Sequence, residues 1–286
     1  MPSVALITDQ KTAGLTPDDQ ALLPHFKKRG ADVHAECWDS KHTAWKDYDL
    51  CILRSTWDYH FRYQEFLSWL DDLQSRNVNL WNSVHTVKWN GNKSYLSMLK
   101  AKGVPIVPTF TVNQGVRANL GAILNDKDWD DVVLKPTVSA AANRTYRVKR
   151  SNSDKHQTEF ESIVQESGAL IQPYLKEIET TGEYSFMFFG GDYSHAVLKK
   201  PSAGDFRSQE LHGGTSESTA PEAWMIEEAA KVLRAVEEDL LYARVDMIRT
   251  GDHMLLVELE LTEPSLFFEF GPGSPERFAN EAMKRM

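Results

Sequence analysis

A chain of 286 residues is longer than the commonest single core and divides most economically into two or three subdomains around a shared cleft. With 41% hydrophobic and 10% aromatic residues it is an ordered globular protein. A net charge of −9 and a pI near 5.5 exclude nucleic acid and anionic membrane surfaces as expected partners and leave a small molecule.

No window approaches the roughly 18 apolar residues that span a bilayer, and the first residues, Val4 to Asp9, form a strand without a basic leader, so a cytoplasmic protein is expected. Thr16-Pro17-Asp18-Asp19 then caps a helix with acids in its first turn, expected to stop at Gly30. Strands over 31–38 and 49–55, a helix over 62–77 and a strand near Leu80 extend a small parallel sheet, whose strand-following loops are the expected ligand contacts. Cys37 and Cys51 fall inside strand-like segments, and neither predicts a disulfide. The third strand ends in Arg54-Ser55-Thr56-Trp57-Asp58-Tyr59. These groups suit a zwitterionic ligand; they suit equally a helix entry with Asp58 as cap and the aromatics in the core.

From Trp89 the character changes. A helix over 92–102 ends at Gly103, and strands over 131–137, 145–150 and 169–175 surround a capped helix over 153–166, as in a compact α+β lid. From about Tyr174 the chain is strand-rich, with a hairpin across Gly190-Gly191-Asp192, a glycine-bearing loop over 202–218, a helix over 221–240, a hairpin over 244–262 and a terminal helix opened by Ser274-Pro275-Glu276. In the last hairpin Glu258 and Glu260 share a face, because residues i and i+2 of a strand do. Asp246 and Arg244 approach that face from the partner strand. Opposed like charges repel, so either a hard divalent cation lies among the carboxylates or they pair with Arg244, Arg249 and other bases. Lys135 closes the apolar run 132–134, and Lys93 opens a helix, the unfavourable end for a cation. Phosphate satisfies both; snorkelling to solvent is the alternative. His212 is either an acid–base group or a solvated loop residue, and His195, within a strand, is structural.

In order, Asn92-Lys93, Lys100, Gly103-Val104-Pro105, Leu134-Lys135-Pro136, Gln172-Pro173-Tyr174-Leu175, Gly182-Glu183, Arg244-x-Asp246 and Glu258-x-Glu260 resemble the ATP-grasp superfamily over residues 88 to 270. The wording at 54–59, Gly204-Asp205-Phe206-Arg207 with Gly213-Gly214-Thr215, and 258–267 is similar to the cycloserine-forming O-ureido-serine cyclo-ligases and, more distantly, to bacterial glutathione synthetases.

The resemblance implies an α/β (α+β) ATP-grasp fold in three subdomains: 1–88 for substrate, 89–173 as central lid, and 174–286 with the metal site, the nucleotide lying between the last two. It implies ATP and Mg2+, with Lys93 and Lys135 on the phosphates, Ser139 beside them in the lid loop, Gln172, Tyr174 and Leu175 at the adenine, and Glu183 at the ribose. Asp246, Glu258 and Glu260 become magnesium ligands, while Arg244, Lys199 and Arg207 lie near the transferred phosphoryl group. Arg54, Ser55, Thr56, Asp58 and Tyr59 are the expected acceptor residues. The implied reaction activates the carboxylate of an amino-acid-like substrate as an acyl phosphate for attack by nitrogen, from the same molecule or a second one; similar enzymes are commonly homodimers. The alternative is a nucleotide-binding module that does not ligate. One departure concerns the lid loop, 137–145, which carries no glycine where the family has a glycine-rich one; Asn143 is its residue that tolerates a left-handed backbone.

Overall fold

The computed structural model describes residues 1–202, 205–207 and 213–286, so Gly204 and His212 lie outside the described residues. The first sheet contains β1 (Ser3–Thr8), β2 (Asp32–Cys37), β3 (Leu50–Ser55) and β4 (Leu80–Trp81), parallel and ordered β2-β1-β3-β4. A parallel sheet is covered on both faces, and β3 is buried along its whole length. Ala5, Ile7, Cys51 and Leu53 pack on helix Tyr63–Ser75 through Phe66 and Leu70, whereas Val4, Leu6, Leu50 and Ile52 pack toward Phe189, Tyr242 and Phe278 of the C-terminal part.

The second sheet is antiparallel, with β5 (Phe110–Val112), β6 (Asp131–Pro136), β7 (Tyr146–Lys149) and β8 (Ala169–Pro173) in the order β5-β8-β6-β7. Its apolar face closes on Leu120 and Leu124 of helix Leu120–Lys127 and on Phe160, Ile163 and Val164 of helix Gln157–Glu166. The third sheet, also antiparallel, contains β9 (Glu183–Phe189), β10 (Asp192–Lys200), β11 (Thr215–Thr219), β12 (Tyr242–Thr250) and β13 (His253–Glu260), ordered β11-β10-β9-β12-β13. Helix Ala223–Val236 packs on one of its faces through Met225, Ala229 and Val232. No helix among the described residues is long and apolar enough to cross a membrane.

Several elements differ from the sequence expectation. The helix expected to run to Gly30 is two helices, Pro17–Gln20 and Leu23–Lys28, because Pro24 has no amide to continue the first ladder. Helices Val84–Asn90 and Leu120–Lys127 were not expected, and β11 lies inside the stretch expected as loop. Its sequence, Thr-Ser-Glu-Ser-Thr, is a polar edge strand with no apolar alternation to announce it.

Side chains from other elements hold the edge strand β13 in place. Asn90 donates to the Leu259 carbonyl and accepts from the Leu261 amide, both at 2.8 Å, and the Tyr95 hydroxyl lies 2.9 Å from both Leu259 backbone groups. These contacts satisfy backbone groups that an edge strand otherwise leaves bare. Asn82 joins the first and third sheets: its amide donates to the carbonyls of Tyr242 and Leu261 and accepts from the Leu241 N–H.

The turn after β13 is gripped from two sides. The Asp18 carboxylate accepts from the amides of Leu266, Phe267 and Phe268, and His195 Nε2 donates toward the carbonyls of Leu266 and Phe267 at 2.9 and 3.0 Å. Burial pushes the His195 imidazole down to about 4 from its ordinary 6.5. The unfolded chain therefore binds the extra proton first as pH falls below 6.5, and stability present at pH 7 is lost toward pH 4. Urea unfolding should show a loss of about 2 kcal/mol between pH 7 and pH 5 that is missing in His195→Asn. An equal loss in both proteins would refute the assignment of that pH dependence to His195.

Candidate active site

The three sheets meet around one cleft of about 1050 Å³. The register of β12 and β13 sets its acidic wall: Arg244 pairs with Glu260 and Asp246 with Glu258, and a bulge at Val257 precedes them. Ser185 of β9 lies opposite Asp246 and donates its hydroxyl to it at 2.6 Å. Burial, with Glu258 and Asp246 adding repulsion, pushes the Glu260 carboxyl up to about 7.

Of the two readings of the acidic hairpin, this conformation realises the second. Arg244 clamps Asp246 with two nitrogens at 3.0 Å and also reaches Glu260. Lys93 pairs with Glu258 at 3.1 Å, and Lys199 lies between Asp246, at 3.1 Å, and Glu183. Arg249 instead pairs with Glu222 away from the cleft. Among the described residues no three Asp, Glu, His or Cys side chains form a ready-made metal cluster.

The opposite wall comes from the middle sheet. Lys135 ends the apolar run of β6, lines the cleft, and makes no hydrogen bond or ion pair among the described residues; burial pushes its ammonium pKa down. Lys93 lies just before helix Tyr95–Ala101 and donates to the Ser139 carbonyl at 2.5 Å, and its own amide donates to Thr137. The lid loop is thereby tied to the acidic wall. Its glycine-free run adopts the left-handed region at Ala141, Ala142 and Arg144, and not at Asn143 as expected. Arg144 offsets that cost by bonding Glu159, Ser162 and Glu166 of the following helix.

The remaining predicted residues divide between the cleft and its surroundings. Gln172, Tyr174, Leu175 and Glu183 line the cleft beside β8 and β9. Gln172 donates to Thr109 at 2.9 Å, and the Tyr174 ring is covered by the Arg147 guanidinium at 3.5 Å. Arg207 lines the cleft and is paired with Asp205 at 2.7 Å. Lys199 does not line it; it is buried behind it and pairs with Glu183 and Asp246.

Of the residues expected at the acceptor, Asp58 and Tyr59 line the cleft, but Arg54, Ser55 and Thr56 do not. Arg54 is 1% exposed, bound to Asp19 at 2.7 Å and to the Pro264 carbonyl at 3.0 Å, so its charge is already neutralised inside the protein. Ser55 donates to the same Asp19 at 3.1 Å, and Thr56 is fully buried. Asp58 does not use its side chain as a helix cap; it accepts from Trp38 Nε1 and pairs with Arg62. Residues not singled out from sequence, among them Asp9, His60, Glu263 and Phe267, also line the cleft. Asp9 follows β1, so its signal was its place after a parallel strand.

Comparison with known proteins agrees with this arrangement. Residues 105–270 match the family described as "Prokaryotic glutathione synthetase, ATP-grasp domain", and residues 4–82 match "D-cycloserine synthetase DcsG, N-terminal domain". The cycloserine biosynthesis protein DcsG of Streptomyces lavendulae is 28% identical over 306 aligned residues, covering all of this chain and 99% of that protein. A glutathione synthetase of Parasynechococcus marenigrum is 29% identical over 164 residues, 56% of this chain and 51% of that protein. The crystal structure of D-cycloserine synthetase DcsG superposes with a TM-score of 0.89 at 26% identity, over 99% of this chain and all of that one. The D-alanine–D-alanine ligase of Bacillus anthracis complexed with ATP shares the fold at a TM-score of 0.72 and 15% identity, over 100% and 97% of the two chains. With more than half its length in the matched domain, the chain belongs to the ATP-grasp family, as a ligase forming C–N bonds.

Proposed function

We propose that this ligase uses ATP and Mg2+ to activate the carboxylate of an amino-acid-like substrate as an acyl phosphate, and that a nitrogen of the same molecule then closes a ring. The observation that carries the reading is the pairing, across one cleft, of a bare buried amine, Lys135, with a wall of carboxylates that exceeds its own cations. An amine buried without a partner is costly unless an anion arrives, and a phosphate chain is such an anion. Lys93 stands beside it and Arg244 faces the same space. Leu175, which lines the cleft and whose amide donates to no protein acceptor among the described residues, would read the adenine edge.

The donor set fits a hard divalent ion. Asp246, Glu258 and Glu260 offer only carboxylate oxygens, and burial, with repulsion from Glu258 and Asp246, pushes the Glu260 carboxyl up to about 7 despite its pairing with Arg244. These three residues would hold Mg2+, which when bound supplies charge neutralisation on the phosphates. The substrate carboxylate oxygen attacks the γ-phosphorus and ADP leaves; nitrogen then attacks the carbonyl carbon, phosphate leaves, and the nitrogen loses its proton. The protein's own part is to hold the reacting groups in line and exclude water. Ring closure is favoured over intermolecular ligation by the full-length match to a cycloserine biosynthesis protein, an inference from kinship.

The test is ADP and phosphate release with O-ureidoserine of either configuration against a panel of amino acids and dipeptides, with products identified by mass spectrometry. A cyclic product is expected from one O-ureidoserine enantiomer; a linear amide from two molecules would replace this reading with the intermolecular one, and no release at all would leave a nucleotide binder. Glu258→Gln should lower Mg2+-dependent turnover about 100-fold or more without changing the thermal midpoint by more than a few degrees. Undiminished turnover would remove Glu258 from the metal site.

A further inference from the structure

Within the cleft almost every carboxylate already has a protein cation or donor. Glu183 has Lys199, Asp246 and Glu260 have Arg244, Glu258 has Lys93, and Asp58 has Arg62. The Asp9 carboxylate accepts from Thr12. Glu263 differs: it lines the same cleft, yet its side chain makes no hydrogen bond or ion pair among the described residues. Lys93 does not serve it, because that amine is spent on Ser139 and Glu258.

The backbone around Glu263 is fixed. Its carbonyl accepts from Trp57 Nε1 at 3.0 Å, and the next carbonyl, of Pro264, accepts from Arg54. Trp57 and Tyr59, both on the cleft wall, are thereby brought to the same end. His60 lines the same cleft, and burial pushes its imidazole pKa down. An unpaired carboxylate among aromatic faces forms a receptor for a cation with N–H donors. The cation that the sequence offered to a substrate carboxylate, Arg54, is the one that the fold has neutralised.

Resting on the ligase reading above, we propose that Glu263 binds the protonated α-amino group of the substrate, with Trp57 and Tyr59 as the apolar walls of that subsite. Glu263 stands three residues beyond Glu260, and after burial the repulsion from Glu260 raises the proton affinity of Glu263. In an α-amino acid one carbon separates ammonium from carboxylate. Anchoring the ammonium on Glu263 therefore presents the carboxylate toward the Glu258–Glu260 wall, where activation requires it. Specificity is then for α-amino acids, and against the corresponding acids that lack the amine.

Two measurements test this, one needing no substrate. Burial, then Glu260, pushes the Glu263 carboxyl up from 4.5 to about 8, so the folded form keeps a proton that the unfolded chain gives up, and stability is lost progressively as pH rises from 4.5 to 8. Glu263→Gln should accordingly melt several degrees higher than the parent protein at pH 8.5, with the gap narrowing steadily as pH falls and closing near pH 4.5. A lower midpoint at pH 8.5 would mean that the carboxylate serves the fold, and would overturn the proposal. In steady state, Glu263→Gln should raise KM for O-ureidoserine about 100-fold while KM for ATP stays within about threefold. The parent should prefer O-ureidoserine to its des-amino analogue by a similar factor, and the variant should lose that preference; a variant that keeps it overturns the proposal. If the parent turns over neither compound, the ligase reading for that substrate fails, and the midpoint at pH 8.5 together with alanine-versus-propionate binding to the Mg2+–ADP complex still decides Glu263.

Discussion

Lys135→Met should reduce ATP-dependent turnover by about 10³-fold and leave the protein at least as stable as before. The two halves of this expectation have one cause. The amine sits at the end of a β6 run whose Val132 and Leu134 are completely buried, and the structure gives it no anion. Burial favours its neutral form, so the folded state pays for the charge that the unfolded chain carries freely. Methionine keeps the length and removes the charge, and its midpoint should equal or exceed that of the parent at pH 7. Activity falls because nothing else on that wall replaces the ammonium: Lys93 is held by Glu258 and the Ser139 carbonyl. Steady-state kinetics and a melting curve on one sample decide the matter. A variant that melts much lower would show Lys135 to be structural, and one that still turns over would place the phosphates elsewhere.

Arg54→Ala should cost about 3 to 5 kcal/mol of stability, roughly 10 °C in the thermal midpoint, and this is the largest stability effect expected anywhere in the chain. Removing the guanidinium leaves Asp19, itself 2% exposed, without its countercharge, and also releases the Pro264 carbonyl. The guanidinium further lies 5.4 Å from the Tyr242 ring and 5.7 Å from that of Phe278, so a packed core contact goes with it. Because Pro264 follows Glu263, substrate affinity should drop as a secondary effect. A variant of unchanged midpoint with a selective loss of substrate binding would return Arg54 to direct ligand contact.

These two residues show what the sequence could and could not disclose. Lys135 was legible because a lysine closing an apolar strand has a local cause that sequence displays, and the Glu258, Glu260 and Asp246 cluster was legible because the alternation of a strand fixes faces. Arg54 was legible as a charge of consequence, but its partner is Asp19, 35 positions away in a segment whose acids looked like ordinary first-turn residues. Asp18, its neighbour, turned out to hold three amides of the 266–268 turn. Pairings of this kind depend on tertiary approach and leave no periodic trace. Glu263 was overlooked for the opposite reason: its significance is that nothing among the described residues pairs with it, and a missing partner shows only once the tertiary contacts are known. The short polar strand β11 and the three-residue β5 carried too few apolar positions to be announced at all.

The buried amide of Asn82, bonded to backbone on both sides of the Tyr242 strand and the end of β13, has a bearing on how such a catalyst handles distance. It welds the floor that receives the acceptor to the wall that would carry the metal, so these two behave as a single anvil. On the proposed reading, the middle sheet, which lines the opposite side of the cleft, would be the part that swings. If the proposed reading holds, the gap between the group to be activated and the ions that would activate it is built in at folding, and closure would serve only to shut the water out.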